Sequence, residues 1–179
     1  MKKILCLLGI LIVIVGCSSD LANTPTRQVE AYLNKYQTLD SDVMTDLNTT
    51  INSETGFTDE QRNTYRDIVK SGYQKMSYTI KDERIDGDTA TVTVEVKVMD
   101  YASILNDAEV YRNDNMTEFS NEEVYDESLY IDYRLGKMQN QNEKAIYTID
   151  FTLTKIDGKW SLDNPTSEIR SKINGIYPR

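Results

Sequence analysis

The sequence predicts an α+β fold in which N-terminal helices pack on a curved, antiparallel four-stranded sheet. Apolar residues recur at helical spacing from about residue 25 to residue 76, whereas they alternate with polar residues over 89–98 and again over 147–153. The Asp-Gly pairs Asp86-Gly87 and Asp157-Gly158 are typical of tight hairpin turns. These observations predict two β-hairpins, with helices before, between and after them.

Two helices are expected before the first strand. Thr24-Pro25 fits an N-cap followed by proline at the first helical position, and the pattern runs over about 25 to 48 with a break near Asp40-Ser41. Thr58-Asp59-Glu60-Gln61 is a capping box, which predicts the start of a second helix. The apolar stripe of that helix consists of Tyr65, Ile68, Val69, Tyr73 and Met76.

Four strands are expected in the two hairpins. A short strand from Tyr78 to Arg84 precedes a longer strand that has one buried face and one solvent-exposed face. The buried face of the longer strand would consist of Ala90, Val92, Val94, Val96 and Val98. The second hairpin would bury Tyr147, Ile149, Phe151, Leu153, Trp160 and Leu162.

The segment between the hairpins, residues 101–143, is expected to form a helical insertion over the sheet. Ser120-Asn121-Glu122-Glu123 has the pattern of a capping box. The stripe after it consists of Val124, Ile131, Leu135 and Met138. Asn164-Pro165 predicts the start of a short C-terminal helix, which Gly175 would end.

The first seventeen residues resemble the leader of a bacterial lipoprotein. Lys2 and Lys3 precede an apolar run of 12 residues, Ile4 to Val15, which as a helix would span about 18 Å of a hydrocarbon core about 30 Å thick. The ending Ile14-Val15-Gly16-Cys17 resembles a lipobox, in which the chain is cut before the cysteine and the cysteine carries acyl chains such as palmitate. The alternative is an uncleaved membrane anchor.

This resemblance implies a signal peptide over 1–16, a lipidated tether over 17–24 and attachment of lipid at Cys17. The protein would then be held on the extracytoplasmic face of the cell membrane by its lipid anchor.

The order of elements, helices followed by an antiparallel meander, resembles the cystatin-like or nuclear transport factor 2-like folds. The stretch from Tyr147 to Leu153, followed by Lys155-Ile156-Asp157-Gly158-Lys159-Trp160, is similar to the terminal hairpin of small bacterial lipoproteins with that fold. The resemblance implies a single domain over 25–179. Since the fold hosts isomerases, dehydratases and non-catalytic binding modules, it does not choose a function.

The composition excludes several catalytic classes. The 179 residues contain no histidine, which rules out Ser-His-Asp and Cys-His hydrolases and zinc sites of the His-x-x-x-His type. No Gly-rich nucleotide loop and no nucleophile motif occurs. The net charge of −9 opposes binding to nucleic-acid phosphates. We therefore expect no catalytic residue, no cofactor, no metal ion and no nucleic-acid partner.

The negative charge is concentrated in residues 106–127, where eight acidic residues and one basic residue give a net charge of −7. The acidic residues are Asp107, Glu109, Asp114, Glu118, Glu122, Glu123, Asp126 and Glu127. Such a segment could attract a cationic protein or peptide, or Ca²⁺, although it lacks EF-hand spacing. The alternative is a solvated helix face.

Tyrosines and arginines accompany these acids, and both residue types are enriched at interaction hot spots. The candidate contact residues are Tyr111, Arg112, Tyr125, Tyr130 and Tyr133, with Tyr101 and Arg134 nearby. Alternatively, these tyrosines pack the insertion onto the sheet. On the sheet, Tyr78, Tyr147 and Trp160 are expected to line the cone between sheet and helix, either around a ligand or as plain core.

The sequence thus predicts a membrane-anchored lipoprotein whose folded region is a non-catalytic binding or interaction module. The alternatives are an apolar small-molecule carrier that uses the cone and an isomerase- or hydratase-type enzyme.

Overall fold

The computed structural model describes residues 23–178 and contains six α-helices and a four-stranded antiparallel sheet, the α+β arrangement that the sequence predicts. The leader and Cys17 lie outside the described residues. The helices are α1 (Pro25–Gln37), α2 (Ser41–Ser53), α3 (Asp59–Gln74), α4 (Tyr101–Asp114), α5 (Glu127–Gln139) and α6 (Ser167–Ile173). The strands are β1 (Ser77–Asp86), β2 (Thr89–Met99), β3 (Ser120–Asn121), β4 (Val124–Tyr125), β5 (Lys144–Ile156) and β6 (Lys159–Leu162).

The N-terminal helical region is divided as expected. Thr24 caps α1 by accepting a hydrogen bond from the Arg27 N–H at 3.2 Å. After Leu39, whose φ is 55°, Asp40 caps α2 by accepting a hydrogen bond from the Asp42 N–H at 3.0 Å. The chain can therefore turn between two helices that each bury an apolar stripe.

No helix among residues 23–178 is long and apolar enough to cross a membrane.

The capping box of α3 is confirmed, and it also connects two parts of the fold. The Thr58 hydroxyl accepts a hydrogen bond from the Gln61 N–H at 3.2 Å, and the Gln61 amide oxygen accepts one from the Thr58 N–H at 2.9 Å. The buried Gln61 amide also donates to Ser128 and, at 2.8 Å, to Asp132. One side chain therefore closes the first turn of α3 and joins this helix to α5.

The main sheet is a meander with strand order β1-β2-β5-β6, as the two predicted hairpins require. The first hairpin turns at Gly87-Asp88, because Asp86 still pairs with Thr89. Asp157 and Gly158 both have positive φ, 50° and 78°, which is the geometry of a two-residue hairpin turn. β2 pairs with β5 from Thr89–Thr154 to Met99–Lys144 without interruption. A register shift interrupts β1 between Ile80 and Asp82.

The core lies between one face of this sheet and the helices. All five predicted apolar positions of β2 are buried, while the alternate residues from Thr89 to Lys97 are half-buried or exposed. Val29 and Leu33 of α1 reach this face with 0% exposure. Each such side chain contributes about 1.5–3 kcal/mol when fully buried, so the alternation in sequence accounts for the orientation of the sheet.

The predicted capping box in the insertion is wrong. Residues Ser120 to Tyr125 form the small hairpin β3–β4, with Glu122 and Glu123 in its turn at φ 49° and 68°. Asp126 caps α5 instead, and its N–H donates to the Phe119 carbonyl at 2.8 Å, which joins the two ends of the hairpin. The burial of the Phe119 ring and the capping of α5 by Asp126 favour the hairpin over the helix start that the Ser-x-x-Glu pattern predicts.

This shift removes Val124 from the predicted helical stripe and leaves it 70% exposed on β4. The other three members of the stripe, Ile131, Leu135 and Met138, are buried as expected.

The C-terminal helix begins slightly later than predicted, because Thr166 rather than Asn164 is the N-cap of α6. Gly175 ends the helix as expected, with φ at 70°, and the Ile176 N–H donates to the Ser171 carbonyl. A Cβ atom at Gly175 would lie 2.0 Å from the Met99 carbonyl oxygen. The residue is therefore required both by its conformation and by the close approach of β2.

Gly175→Ala should lower the free energy of unfolding by about 3 kcal/mol, because it adds left-handed strain to a backbone clash. Gly136→Ala is the matched control, since no neighbouring atom lies within 4 Å of its Cβ position on α5. That variant should gain up to about 1 kcal/mol from helix propensity. Urea unfolding of the two variants measures the difference, and equal midpoints would contradict the close contact at Met99.

Candidate functional site

The insertion has an aromatic core of its own, centred on Phe119 in a short 3₁₀ helix, Met116–Phe119. The Phe119 ring centroid lies 5.6 Å from that of Tyr130 and 5.4 Å from that of Tyr133. Tyr111 stacks on Tyr133 at 4.9 Å, with 13° between the ring planes. Each such pair is worth about 0.5–1.5 kcal/mol beyond burial. These tyrosines therefore hold α4, the 3₁₀ helix and α5 together.

The two arginines of the insertion lie over this cluster. The Arg112 guanidinium carbon is 4.7 Å from the centroid of Tyr130, and that of Arg134 is 5.7 Å from the same ring. The structure thus brings together four of the five residues predicted for partner contact: Tyr111, Arg112, Tyr130 and Tyr133. Tyr130 is buried, whereas the other three keep part of their surface in solvent.

Tyr125, the fifth predicted contact residue, lies outside the aromatic core on β4. Its hydroxyl donates to Glu127 at 2.7 Å. Partial burial and this carboxylate raise the pKa of Tyr125, while the neighbouring Arg112 guanidinium lowers it. In the same way the Tyr111 hydroxyl donates to Glu118 at 3.0 Å, and this bond raises the pKa of Tyr111. Both tyrosines therefore orient carboxylates on the surface of the insertion.

The acidic residues of the insertion are solvated with one exception. Asp126 is half-buried because it caps α5 and also accepts a hydrogen bond from the Asn121 amide at 2.6 Å. Glu122 and Glu123 project from the β3–β4 turn in left-handed conformations, which cost about 1–3 kcal/mol each. Within residues 23–178, no three acidic or thiol groups lie close enough to hold a metal ion.

Exposed apolar side chains accompany these acids. Val124 is 70% exposed and Val110 is 53% exposed. The 3₁₀ helix, which contacts both α4 and β4, adds Met116 at 46%. We define the insertion patch as these three residues together with Tyr125, Glu122 and Glu123. It combines apolar surface with negative charge.

The predicted sheet residues are separate from the insertion patch. Tyr78 and Tyr147 flank Val96 on the inner face of the sheet, and the Tyr147 hydroxyl donates to the Tyr177 carbonyl at 2.7 Å. The Tyr78 hydroxyl donates to Asn34, and Trp160 is buried in the same core. Packing therefore occupies all three side chains, and their role around a ligand stays a prediction.

A cavity of about 130 Å³, which we call the helix cavity, lies between α2, α3 and α6. The sequence did not predict it. Its lining includes four tyrosines, which are Tyr36, Tyr65, Tyr73 and Tyr101. Tyr65 and Tyr73 lie two turns apart on α3, in the predicted apolar stripe of that helix. The sequence feature that could have indicated this cavity is the repetition of tyrosine hydroxyl groups on the buried face of α3.

Burial raises the pKa of each of these tyrosines, for Tyr101 to about 12. The Tyr101 hydroxyl donates to the Ile68 carbonyl at 3.1 Å, and that of Tyr73 donates to Asn174 at 2.8 Å. The Tyr36 hydroxyl lies 2.9 Å from that of Tyr32. These phenols therefore remain neutral in the folded protein well above pH 7.

The buried tyrosines should make the fold sensitive to alkali. Tyr101 titrates near pH 12 in the folded state but near its ordinary pKa of 10.0 when unfolded. Between these values the unfolded chain releases protons that the folded chain keeps, so the free energy of unfolding falls as pH rises.

Tyr101→Phe should reduce that fall, while costing about 1 kcal/mol at neutral pH through the lost hydrogen bond to Ile68. Urea unfolding from about pH 7 to about pH 12 measures both effects. Identical pH slopes for the wild type and the variant above about pH 10 would be evidence against the assignment.

No protein-family model and no curated protein matches the chain. Among solved structures, its fold is similar to that of a "putative lipoprotein (ycdA)" from Bacillus subtilis, with 18% sequence identity and a TM-score of 0.48. The match covers 78% of this chain and 47% of the other, so the chain spans about half the length of that protein.

Proposed function

We propose that this protein is a lipoprotein anchored at the extracytoplasmic face of the cell membrane through Cys17, and that its folded region is a non-catalytic module that binds a cationic protein or peptide. The observation that carries this proposal is the insertion patch, in which the exposed Val124 directly follows the exposed carboxylates of Glu122 and Glu123.

The anchor is supported by the leader sequence, which has a basic start, a short apolar run and the ending Gly16-Cys17. Two or three acyl chains on one cysteine hold a protein on a membrane far more firmly than a single chain does, since each buried methylene contributes about 0.8 kcal/mol. The folded region would then remain in water close to the lipid surface.

The chemistry of the insertion patch supports a cationic partner. An apolar surface rimmed by charge is typical of protein contact sites, and complementary charge increases the rate of encounter. Glu122 and Glu123 lie directly beside Val124, the most exposed large apolar residue among residues 23–178. A basic segment with an apolar side chain would satisfy both properties of this surface.

A non-catalytic role is supported by the use of the buried acid. Asp100, 1% exposed, accepts a hydrogen bond from the Ser103 N–H at 3.2 Å and thereby caps α4. The acid that lines the helix cavity, Asp46, is exposed. Asp100 therefore has a structural role, and Asp46 is exposed to solvent. The proposed function requires no cofactor.

Cys17→Ser should abolish incorporation of labelled palmitate into the full chain produced in a lipoprotein-processing bacterium, because the acyl acceptor is removed. The protein should also lose its partition into detergent. Cys6→Ser is the matched control, since Cys6 lies in the leader that is cut away, and it should leave the label unchanged. Mass spectrometry that finds an intact leader or an unmodified Cys17 in the wild type would refute the anchor.

The insertion patch should bind a peptide of alternating lysine and leucine and not a peptide of alternating glutamate and leucine. Val124→Ser should weaken binding of the lysine peptide about fivefold or more, because it removes the most exposed apolar contact. Glu122→Gln together with Glu123→Gln should weaken it further and reduce its salt dependence. Fluorescence anisotropy with the full chain in detergent measures these affinities.

Ile156→Ser is the control for this experiment, since Ile156 is 58% exposed on the β5–β6 hairpin, outside the insertion. It should leave the affinity unchanged. Equal binding of both peptides, or equal losses in Val124→Ser and Ile156→Ser, would count against the insertion patch as the binding surface.

A further inference from the structure

The helix cavity is a second site, and none of its lining residues belongs to the insertion patch. Val43 and Leu47 of α2 and Val69 of α3 give it an apolar wall, and Met138 of α5 closes one side. Its volume of about 130 Å³ is close to the roughly 150 Å³ of an engineered apolar cavity that holds benzene. The space is suited to one small ring or short chain.

One polar group in this cavity differs from the others. Three of the four tyrosine hydroxyls are hydrogen-bonded within the protein: those of Tyr36, Tyr73 and Tyr101. The hydroxyl of Tyr65 forms no hydrogen bond with any residue between 23 and 178, although most of the side chain is buried. The Tyr65 hydroxyl is therefore the one donor of the four that no described protein group occupies.

The Tyr65 hydroxyl is accessible, because every fully buried polar side-chain atom among the described residues has a partner. Tyr65 and Met138 also line a second cavity of about 170 Å³, whose lining includes Glu54 and Arg134. Burial raises the pKa of Tyr65, Glu54 raises it further and Arg134 lowers it. The phenol is therefore a neutral donor at physiological pH, located between two small cavities.

The charges around the cavities balance. Asp46 and Arg170 line the first cavity, and Glu54 and Arg134 line the second. An ion in either cavity would be attracted by one of these groups and repelled by the other, and it would also lose its hydration. A neutral ligand avoids both costs.

We propose that the cavity binds a small, neutral, mainly apolar molecule with one hydrogen-bond acceptor, to which the Tyr65 hydroxyl donates. The ligand occupies the space between α2, α3 and α6 and supplies an acceptor for the Tyr65 hydroxyl, which no residue from 23 to 178 provides. This site differs from the sheet cone of the sequence analysis, because its walls come from helices rather than strands.

Cyclohexanone is a suitable probe, since it is a single ring with one carbonyl acceptor, and methylcyclohexane matches its shape without the acceptor. In the full chain labelled at its methionine methyl groups, cyclohexanone should shift the NMR signal of Met138, which lines the cavity. Met116 is the internal control, because it is 46% exposed in the insertion patch and its signal should not move.

Tyr65→Phe should weaken cyclohexanone binding about fivefold, the loss of one hydrogen bond, and leave methylcyclohexane binding unchanged. Tyr133→Phe is the matched control for tyrosine substitution, as its ring lies in the Phe119 cluster, and it should change neither affinity. Val43→Leu adds a methylene to the wall and should weaken both probes.

The absence of a Met138 shift at about 10 mM cyclohexanone would overturn the proposal. An equal affinity of wild type and Tyr65→Phe for cyclohexanone would overturn the role of the hydroxyl. Since Val124→Ser leaves the cavity intact, it should not alter cyclohexanone binding, so failure of the insertion patch and failure of the cavity are distinguishable.

Discussion

The uninterrupted antiparallel pairing of β2 with β5 is the constraint on which the rest of the structure depends. It joins the two hairpins into one sheet, and its last pair, Met99 with Lys144, fixes both ends of the insertion side by side. Between these two ends, Ile131 and Leu135 of α5 pack against Ile68 of α3, and other apolar residues of the insertion form a core of their own. Phe119 and the tyrosines around it provide that second core.

The main sheet and its helices could be predicted because their signals are local and repeated. Alternation along β2, the Asp-Gly turns and the capping box at Thr58 agree with the tertiary contacts that they make. The hairpin at Ser120 could not be predicted in this way. Its sequence matches a helix start, and the alternative depends on the burial of Phe119 against α5 and on the capping of that helix by Asp126.

The candidate sites could also be predicted only in part. Composition predicted that tyrosine, arginine and acid would meet in the insertion, and most of these residues do lie together there. It could not separate rings that pack from side chains that face solvent, since that depends on the position of the hairpin. The helix cavity had a weaker signal, because its tyrosines share the spacing of ordinary core residues. They are distinguished only by the hydroxyl of Tyr65, which has no hydrogen-bond partner among the described residues.

The two sites share the insertion as their support. The side chain of Tyr101, the first residue of α4, lies against Gly72 of α3, where a Cβ atom would be 2.9 Å from its hydroxyl oxygen. Met138 near the end of α5 lines the cavity, and β4 before the start of α5 carries the exposed Val124. Close packing transmits small shifts of such elements rather than absorbing them. A partner that moved α4 or α5 would therefore change the shape of the helix cavity, and a partner that left both helices in place would not.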